Sequence, residues 1–260
     1  SALLVEEEGT VSTLQTLLAV LGSEGLPCSL YTDRGSHYFF TPRAGEAVDK
    51  DRLTQVGRAL QRLGVEHIAA YSPEARGRSE RMFGTLQDRL VKELKLAGIR
   101  DIATANVWIQ EVYLPAHNRR FAKPAALADR AFVAVSDKAQ LTEALVIEEE
   151  RIVARDNTVI YGKLKLQIPE SRVRAHYVKA RVKVREYPDA TLGVFHGPRC
   201  IARYDAEGRP LAAPTAASLA PCSPPSRRGL ARAELAASAQ RRPALTAAAR
   251  DVPASLRVGT

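Results

Sequence analysis

The acidic residue Glu80 lies in the sequence within a cluster of three arginines. These are Arg76, Arg78 and Arg81. A carboxylate in such a cluster usually forms surface ion pairs, which contribute little to stability. A second carboxylate, Asp33, offers a sharper hypothesis, because two carboxylates that converge on one pocket can bind a divalent cation. Asp33 has an ordinary alternative as well, since the Asp-Arg-Gly sequence that it begins is typical of turns.

The chain up to residue 124 alternates strand and helix patterns. Apolar spacing predicts helices over 10–21, 49–63, 77–96 and 102–117, and short apolar runs predict strands at 28–31 and 65–70. This order predicts an α/β domain with crossover connections that lacks its N-terminal strands. In the third helix, the predicted packed side consists of Phe83, Leu86, Leu90 and Leu94.

The predicted elements place both carboxylates where ligands collect in α/β proteins. Asp33 follows a strand at its carboxyl end, and Glu80 lies near the start of a helix. Carboxylate oxygens are ligands that suit Mg²⁺ or Mn²⁺. Two such ions about 4 Å apart can activate an attacking oxygen and stabilise a leaving oxygen in phosphoryl transfer. The sequence therefore predicts that Asp33 and Glu80 are metal ligands and catalytic residues.

Period-two patterns begin near residue 145 and indicate a second module. They predict strands over 146–153, 158–168, 178–186 and 192–204, which is typical of a small all-β barrel. The segment from 206 onwards is rich in Ala, Pro and Arg without aromatic residues, so it is predicted to be disordered. We therefore divide the chain into an α/β core at 1–130, a linker at 131–144, a DNA-binding barrel at 145–205 and a tail at 206–260.

The overall charge favours a polyanionic partner. The 260 residues contain 38 Lys and Arg against 29 Asp and Glu, a net charge of +9. Residues 206–260 hold eight arginines and three acidic residues, so more than half of this excess lies in the tail. No apolar run is long enough to span a bilayer, and the start of the chain does not resemble a signal peptide.

One predicted strand carries four cations on a single face: Lys179, Arg181, Lys183 and Arg185. A solvated sheet surface would explain them, but such surfaces normally mix both signs of charge. Like charges without acidic interruption repel each other unless a polyanion is near. We therefore predict that this face contacts DNA through phosphates.

Two segments resemble a known family. Residues 31–36, YTDRGS, and 72–81, SPEARGRSER, are similar to the second and third acidic motifs of DDE transposases with a retroviral-integrase-type core. The later series Tyr113, Asn118, Arg119 and Pro124 is similar to the Y-N-x-x-R…P segment of insertion-sequence transposases. The resemblance covers residues 3 to 124. Less specifically, residues 150–204 are similar to the C-terminal β-barrel of bacteriophage Mu-like transposases.

The resemblance implies a ribonuclease-H-like fold and metal-dependent DNA cleavage and strand transfer at the ends of an insertion element. Asp33 would be the second acidic ligand and Glu80 the third, in a site that holds two Mg²⁺ or Mn²⁺ ions. The arginines around Glu80 would lie beside the DNA, and so would Arg119, Arg120 and Lys123. The implied partners are double-stranded element ends and target DNA. The protein would be a homo-oligomer on DNA, in the bacterial cytoplasm and associated with the nucleoid.

The sequence departs from this pattern at its N-terminal side. No Asp precedes Asp33, so the first acidic ligand is missing, and the helix-turn-helix that usually recognises element ends is missing as well. We therefore expect a C-terminal part of a transposase that lacks strand-transfer activity as it stands. The main alternative is a non-catalytic module that binds DNA or associates with an intact transposase.

Two other chemistries are less well supported. Tyr113, His117, Arg119 and Arg120 contain the residue types of a tyrosine recombinase, but such sites draw their cations from well-separated segments. The three cysteines lie far apart and the five histidines show no metal-ligand spacing, so neither a disulfide framework nor a zinc site is indicated.

Overall fold

The computed structural model describes residues 2–43, 46–124, 130–170 and 174–211, with the backbone alone described for residues 73–76 and 78. This part of the chain is a mixed α/β structure with small sheets. Its α-helices are α1 (Thr10–Glu24), α2 (Gln55–Arg62), α3 (Pro73–Leu96), α4 (Ile102–Trp108), α5 (Leu114–Phe121) and α6 (Lys138–Ala144). Its strands are β1 (Leu26–Pro27), β2 (Ser29–Thr32), β3 (Glu66–Ala69), β4 (Phe132–Val133), β5 (Ile147–Ile152), β6 (Thr158–Tyr161), β7 (Leu164–Gln167), β8 (Arg181–Glu186), β9 (Leu192–His196) and β10 (Arg199–Tyr204).

Strands β2 and β3 form a parallel pair. Their register runs from Ser29 beside Glu66 to Thr32 beside Ala69. Parallel neighbours need a crossover connection, and α2 lies on it, with the Thr54 side chain capping its start. The predicted strand–helix–strand unit is therefore confirmed. Because the strands run in the same direction, their carboxyl ends lie at the same edge.

Helices α1, α2 and α6 share one hydrophobic core. Its buried members are Leu14, Leu21, Val56, Ala59, Leu60, Val65, Leu141 and Leu145. Leu30 of β2 and Ile147 of β5 pack against this cluster. Leu14 and Leu21 of α1 are among the leucines whose helical spacing predicted this helix. The core thus joins the parallel pair to the beginning of the β-rich half.

The expected linker over residues 131–144 contains ordered, packed structure. Strand β4 pairs antiparallel with β1, and α6 contributes Leu141 to the core. Asp137 caps α6 by accepting hydrogen bonds from the N–H groups of the first turn. Gly25, at the end of α1, has φ +99°, and a Cβ there would lie 2.5 Å from the Val133 carbonyl oxygen. Only glycine permits this approach without a backbone shift.

Helix α3 buries none of its described side chains. Phe83, which was predicted to pack against the core, is 55% exposed, whereas Leu86, Leu90 and Leu94 are half-buried. The predicted packed side is therefore wrong for Phe83. Helical spacing shows that apolar residues share a face, but whether another element covers that face depends on tertiary packing.

The predicted helix over 102–117 is a helical run with a change of pitch. Between α4 and α5, Ile109–Tyr113 forms a π-helical turn, in which the Leu114 N–H bonds to the Ile109 carbonyl. Pro115 follows at once, and proline has no N–H to continue the α-helical pattern. The turn directs Ile109 and Tyr113 into buried positions.

The β-rich half contains a four-stranded antiparallel sheet in the order β10-β9-β8-β5 and a hairpin of β6 and β7. One core serves both sheets, with Val159 and Leu166 from the hairpin and Val184, Val194 and Tyr204 from the larger sheet. Each predicted range contains strand structure: 158–168 and 192–204 each form two antiparallel strands, and the strand predicted over 178–186 begins at Arg181. Closure of these sheets into a barrel stays a prediction.

The described residues form one compact unit. At its end the Leu211 N–H donates to the Arg203 carbonyl, which continues the pairing beyond β10. The rest of the predicted disordered tail lies outside the described residues. Within the described ranges, none of the helices combines the length and apolar character needed to cross a membrane.

Replacing Leu60 by Ala tests the shared core. Leu60 has no exposed surface, so we expect Leu60→Ala to lower the free energy of unfolding by about 3 kcal/mol through lost burial and a residual cavity. Leu96 is 88% exposed, and Leu96→Ala should change stability by less than about 0.5 kcal/mol. Chemical denaturation followed by circular dichroism measures both, and equal effects would contradict the packing described.

Candidate active site

Asp33 begins the loop that leaves the carboxyl end of β2. Its Oδ1 accepts a hydrogen bond of 2.9 Å from the Gly35 N–H, which shapes the first turn of that loop. A Cβ at Gly35 would lie 3.1 Å from the same oxygen, so any larger residue would crowd the carboxylate. The turn that offered an ordinary explanation for Asp33 is therefore present, and it also holds the carboxylate at the sheet edge.

Glu80 reaches the same place from helix α3. Together with Asp33 it lines a solvent-open cavity of about 420 Å³. The other lining residues are Arg34, Gly35, Ala70, Tyr71 and Ser72, which come from the segments that follow β2 and β3. The structure thus brings the two predicted carboxylates to one cavity, although they come from distant parts of the sequence.

The donor set of this cavity suits a hard divalent cation. Mg²⁺ is commonly held by one or two carboxylates, with water and substrate phosphate completing its octahedral shell. Asp33 and Glu80 provide two carboxylates, and the wide mouth leaves room for a phosphate. Within the described ranges, groups of three or more His, Cys, Asp or Glu side chains that could hold a metal are absent. Two carboxylates beside an open mouth are the protein ligands that such a cation commonly uses.

Arg34 and Tyr71 line the cavity, although the sequence analysis gave them no role. The guanidinium carbon of Arg34 lies 5.0 Å from the centre of the Tyr71 ring. The Tyr71 hydroxyl accepts a 3.0 Å hydrogen bond from the Val48 N–H, while the side chain remains 56% exposed. Both could have been predicted from their places in the sequence, because Arg34 follows Asp33 and Tyr71 directly precedes the segment that contains Glu80.

The cations predicted beside Glu80 are only partly described. Arg81 is exposed, and its Nε donates to the Gly77 carbonyl at 3.0 Å, one turn earlier in α3. The side chains of Arg76 and Arg78 lie outside the described residues. The structure therefore locates one of the three predicted cations of this cluster.

A second predicted group of cations lies around the end of α5. Arg119 and Arg120 occupy its last turn, Lys123 follows, and all three are exposed. The guanidinium carbon of Arg120 is 5.5 Å from the Phe121 ring centre, and that of Arg89 from α3 is 5.4 Å from the same ring. Cations from two helices therefore meet at one aromatic side chain.

The predicted cationic face of β8 is corrected by the structure. Strand β5 pairs with β8 and places Glu148 opposite Arg185. Glu148 binds Lys183 Nζ at 2.6 Å and Arg185 Nε at 2.8 Å, and Glu143 of α6 binds Arg185 at 2.9 Å. Acidic side chains from the neighbouring strand and from α6 thus pair with two of the four predicted cations. Lys179 and Arg181 stay exposed, and the prediction of phosphate contact remains open for them.

Glu148 is the centre of this ion-pair network. Its side chain is 11% exposed, and burial by itself would raise its pKa. Hydrogen bonds from Lys183 and Arg185 outweigh burial and hold the pKa below its usual value, so the carboxylate is charged at neutral pH. Arg185 is equally enclosed at 14% exposure. Both residues therefore act mainly in the fold.

Removing Arg185 should expose this structural role. We expect Arg185→Ala to lower the free energy of unfolding by about 3 kcal/mol, because the largely enclosed Glu148 loses one cationic partner and keeps Lys183, and Glu143 loses one and keeps Arg203. Arg181→Ala removes an exposed cation two residues away and should cost less than about 0.5 kcal/mol. Urea unfolding at pH 7 measures the difference. A stable Arg185→Ala variant with selectively weakened DNA binding would restore the original prediction for this residue.

Known proteins with similar sequences support a common origin. A protein of Sinorhizobium fredii (strain NBRC 101917 / NGR234) that carries the name of a transposase, y4bF, is 32% identical over 193 residues, 73% of this chain and 41% of the relative. The transposase for insertion sequence IS1202 of Streptococcus pneumoniae is 29% identical over 109 residues, 42% of this chain and 23% of the relative. No protein-family model matches. This chain spans less than half the length of each relative, and the matches confirm the resemblance to insertion-sequence transposases.

Proposed function

Because this chain is a relative of insertion-sequence transposases, we propose that it supplies part of a metal-dependent site for DNA cleavage and strand transfer. The observation that carries the proposal is the convergence of Asp33 and Glu80 on one cavity. Each carboxylate has an ordinary explanation by itself. Ion pairing and turn formation explain each residue separately, but they do not explain why both line one cavity beside the carboxyl ends of a parallel strand pair, in the order of the acidic motifs.

The proposal includes a ribonuclease-H-like arrangement of the α/β half. The parallel pair with a crossover helix, the carboxylate after β2 and the carboxylate on the helix after β3 support this class. Asp33 takes the place of the second acidic ligand and Glu80 that of the third. No Asp precedes Asp33 in this sequence, so we assign only the second and third acidic ligands of that pattern.

Asp33 and Glu80 would hold Mg²⁺ or Mn²⁺, and the ions, when bound, would activate the attacking oxygen and stabilise the leaving oxygen. The chain's own side chains position the DNA. Arg34 lines the same cavity as the two carboxylates and would provide a fixed positive charge for a phosphate. The exposed Tyr71 ring forms one wall of the cavity and limits how the nucleotide beside that phosphate can lie.

A non-catalytic DNA-binding module is the second candidate, because exposed cations are present outside the lining of the cavity. Arg119, Arg120 and Lys123 provide a positive surface that does not require a metal. The two functions separate experimentally, since binding through this surface alone would be insensitive to EDTA and to Glu80→Ala. The implied homo-oligomer on DNA stays a prediction.

Metal binding tests the proposed site directly. In a titration with Mn²⁺ followed by electron paramagnetic resonance, we expect Asp33→Asn and Glu80→Gln each to weaken binding at least about ten-fold, because each removes a charged ligand. The matched control is Glu66→Gln, which neutralises an exposed carboxylate on β3 and should leave the affinity unchanged. Equal Mn²⁺ affinity in all four proteins would refute the metal site.

The salt dependence of DNA binding tests the α5 surface. We expect Arg119→Ala to reduce the slope of log Kobs against log salt by about 0.9, because one phosphate contact and its released counterion are lost. Lys165 pairs with Asp156 at 2.7 Å, so Lys165→Ala should leave the slope unchanged. Fluorescence anisotropy with a short duplex measures both. An unchanged slope in Arg119→Ala would remove this residue from the DNA surface.

A further inference from the structure

We infer that His67 is a positioning residue for the Asp33 carboxylate and that it acts through the Thr32 hydroxyl. His67 lies on β3, where the parallel register places it beside Leu30 of β2. Side chains two residues apart on a strand share a face, so His67 and Thr32 meet on the same side of the pair. The inference rests on the proposed function of Asp33 as a metal ligand.

A short hydrogen-bond chain connects the ring to the main chain of Asp33. His67 Nε2 lies 2.8 Å from Thr32 Oγ1, and Thr32 Oγ1 donates to the Asp33 carbonyl at 3.0 Å. Since a carbonyl can only accept, both contacts are hydrogen-bonded when the hydroxyl donates to the carbonyl and His67 Nε2–H donates to the hydroxyl. Burial lowers the pKa of His67 to about 4, so the neutral ring is the form present at pH 7.

The same ring also packs against two aromatic side chains of the loop that follows Asp33. Phe39 stacks on His67 with ring centres 4.1 Å apart and an interplanar angle of 21°. Tyr38 meets the ring edge-on at 5.9 Å, and its carbonyl accepts a 2.9 Å bond from the Thr54 hydroxyl that caps α2. His67 therefore contacts Thr32 at the end of β2 and the Tyr38–Phe39 part of the loop, which is itself bonded to the cap of α2.

These contacts leave little freedom in the Asp33 backbone. The carbonyl is held by Thr32, and one carboxylate oxygen is held by the Gly35 N–H. Metal sites require their ligands within about 0.5 Å of the productive geometry. A phenyl ring at position 67 could preserve the stacking, but only a donor there can orient the Thr32 hydroxyl. The positioning role therefore depends on the hydrogen-bond donor of residue 67 and not on its stacked ring.

Variants of His67 separate the donor from the ring. With Mn²⁺ as the probe, we expect His67→Phe to weaken binding about ten-fold, in line with the loss of an outer-shell partner at a metal site. His67→Gln restores a side-chain N–H at a similar reach and should recover most of the affinity. Electron paramagnetic resonance on the full chain measures the affinities, and thermal unfolding of each variant shows that it is folded.

Thr32→Val provides the independent test, and it applies even if His67→Phe does not fold. Thr32→Val removes the hydroxyl while keeping the side-chain shape, so it should weaken Mn²⁺ binding to the same extent as His67→Phe. The double variant should be no weaker than either single variant, because both break the same chain of bonds. Independent losses that multiply would overturn the inference.

The outcomes distinguish this inference from the proposed function. If Asp33→Asn does not weaken Mn²⁺ binding, the metal site is refuted and the positioning role falls with it. If Asp33→Asn abolishes binding but His67→Phe and Thr32→Val stay within about two-fold of the unmodified chain, only the positioning role is refuted, against the ten-fold loss expected of an outer-shell partner. A lower unfolding temperature without a change in Mn²⁺ affinity has the same meaning.

Discussion

The parallel pairing of β2 with β3 is the constraint on which the candidate site depends. Parallel strands end at a common edge, so the loop that carries Asp33 and the segment that leads to Glu80 start side by side. An antiparallel pairing of the same two strands would send these segments to opposite edges. The entropy cost of closing the intervening loop grows only slowly with its length, and burial in the shared core offsets it.

Helix α2 couples this pair to the β-rich half. Its Leu60 lies in the core with α1 and α6, while Gln55 bonds both the N–H and the carbonyl of Glu148, at 3.0 and 2.9 Å. Arg58 donates to the Val146 carbonyl from the same helix. The crossover that makes the parallel pair possible is therefore also the element that holds β5 in place, and the two halves form one packed unit.

Charge in this protein serves two distinct purposes. The largely enclosed Arg185 of β8 pairs with Glu143 and Glu148 and contributes to the fold. The exposed cations at the end of α5 lie around an aromatic ring and are free of such enclosure. Within one strand Arg181 and Arg185 look equivalent in sequence, yet the paired strand and α6 give them different surroundings. Residue type alone does not identify a DNA-binding cation.

The sequence by itself determined the strand–helix–strand order, the helical leucines of α1, the position of Asp33 at a strand end and that of Glu80 on a helix, because these features depend on neighbours within a few residues. The structure begins that helix at Pro73, about two turns before Glu80. Only the tertiary structure decided that the two carboxylates share a cavity and that Phe83 stays exposed. It also decided that acidic partners face Arg185 and that His67 contacts Thr32. Each of these depends on pairing between segments far apart in the chain, which local periodicity does not encode.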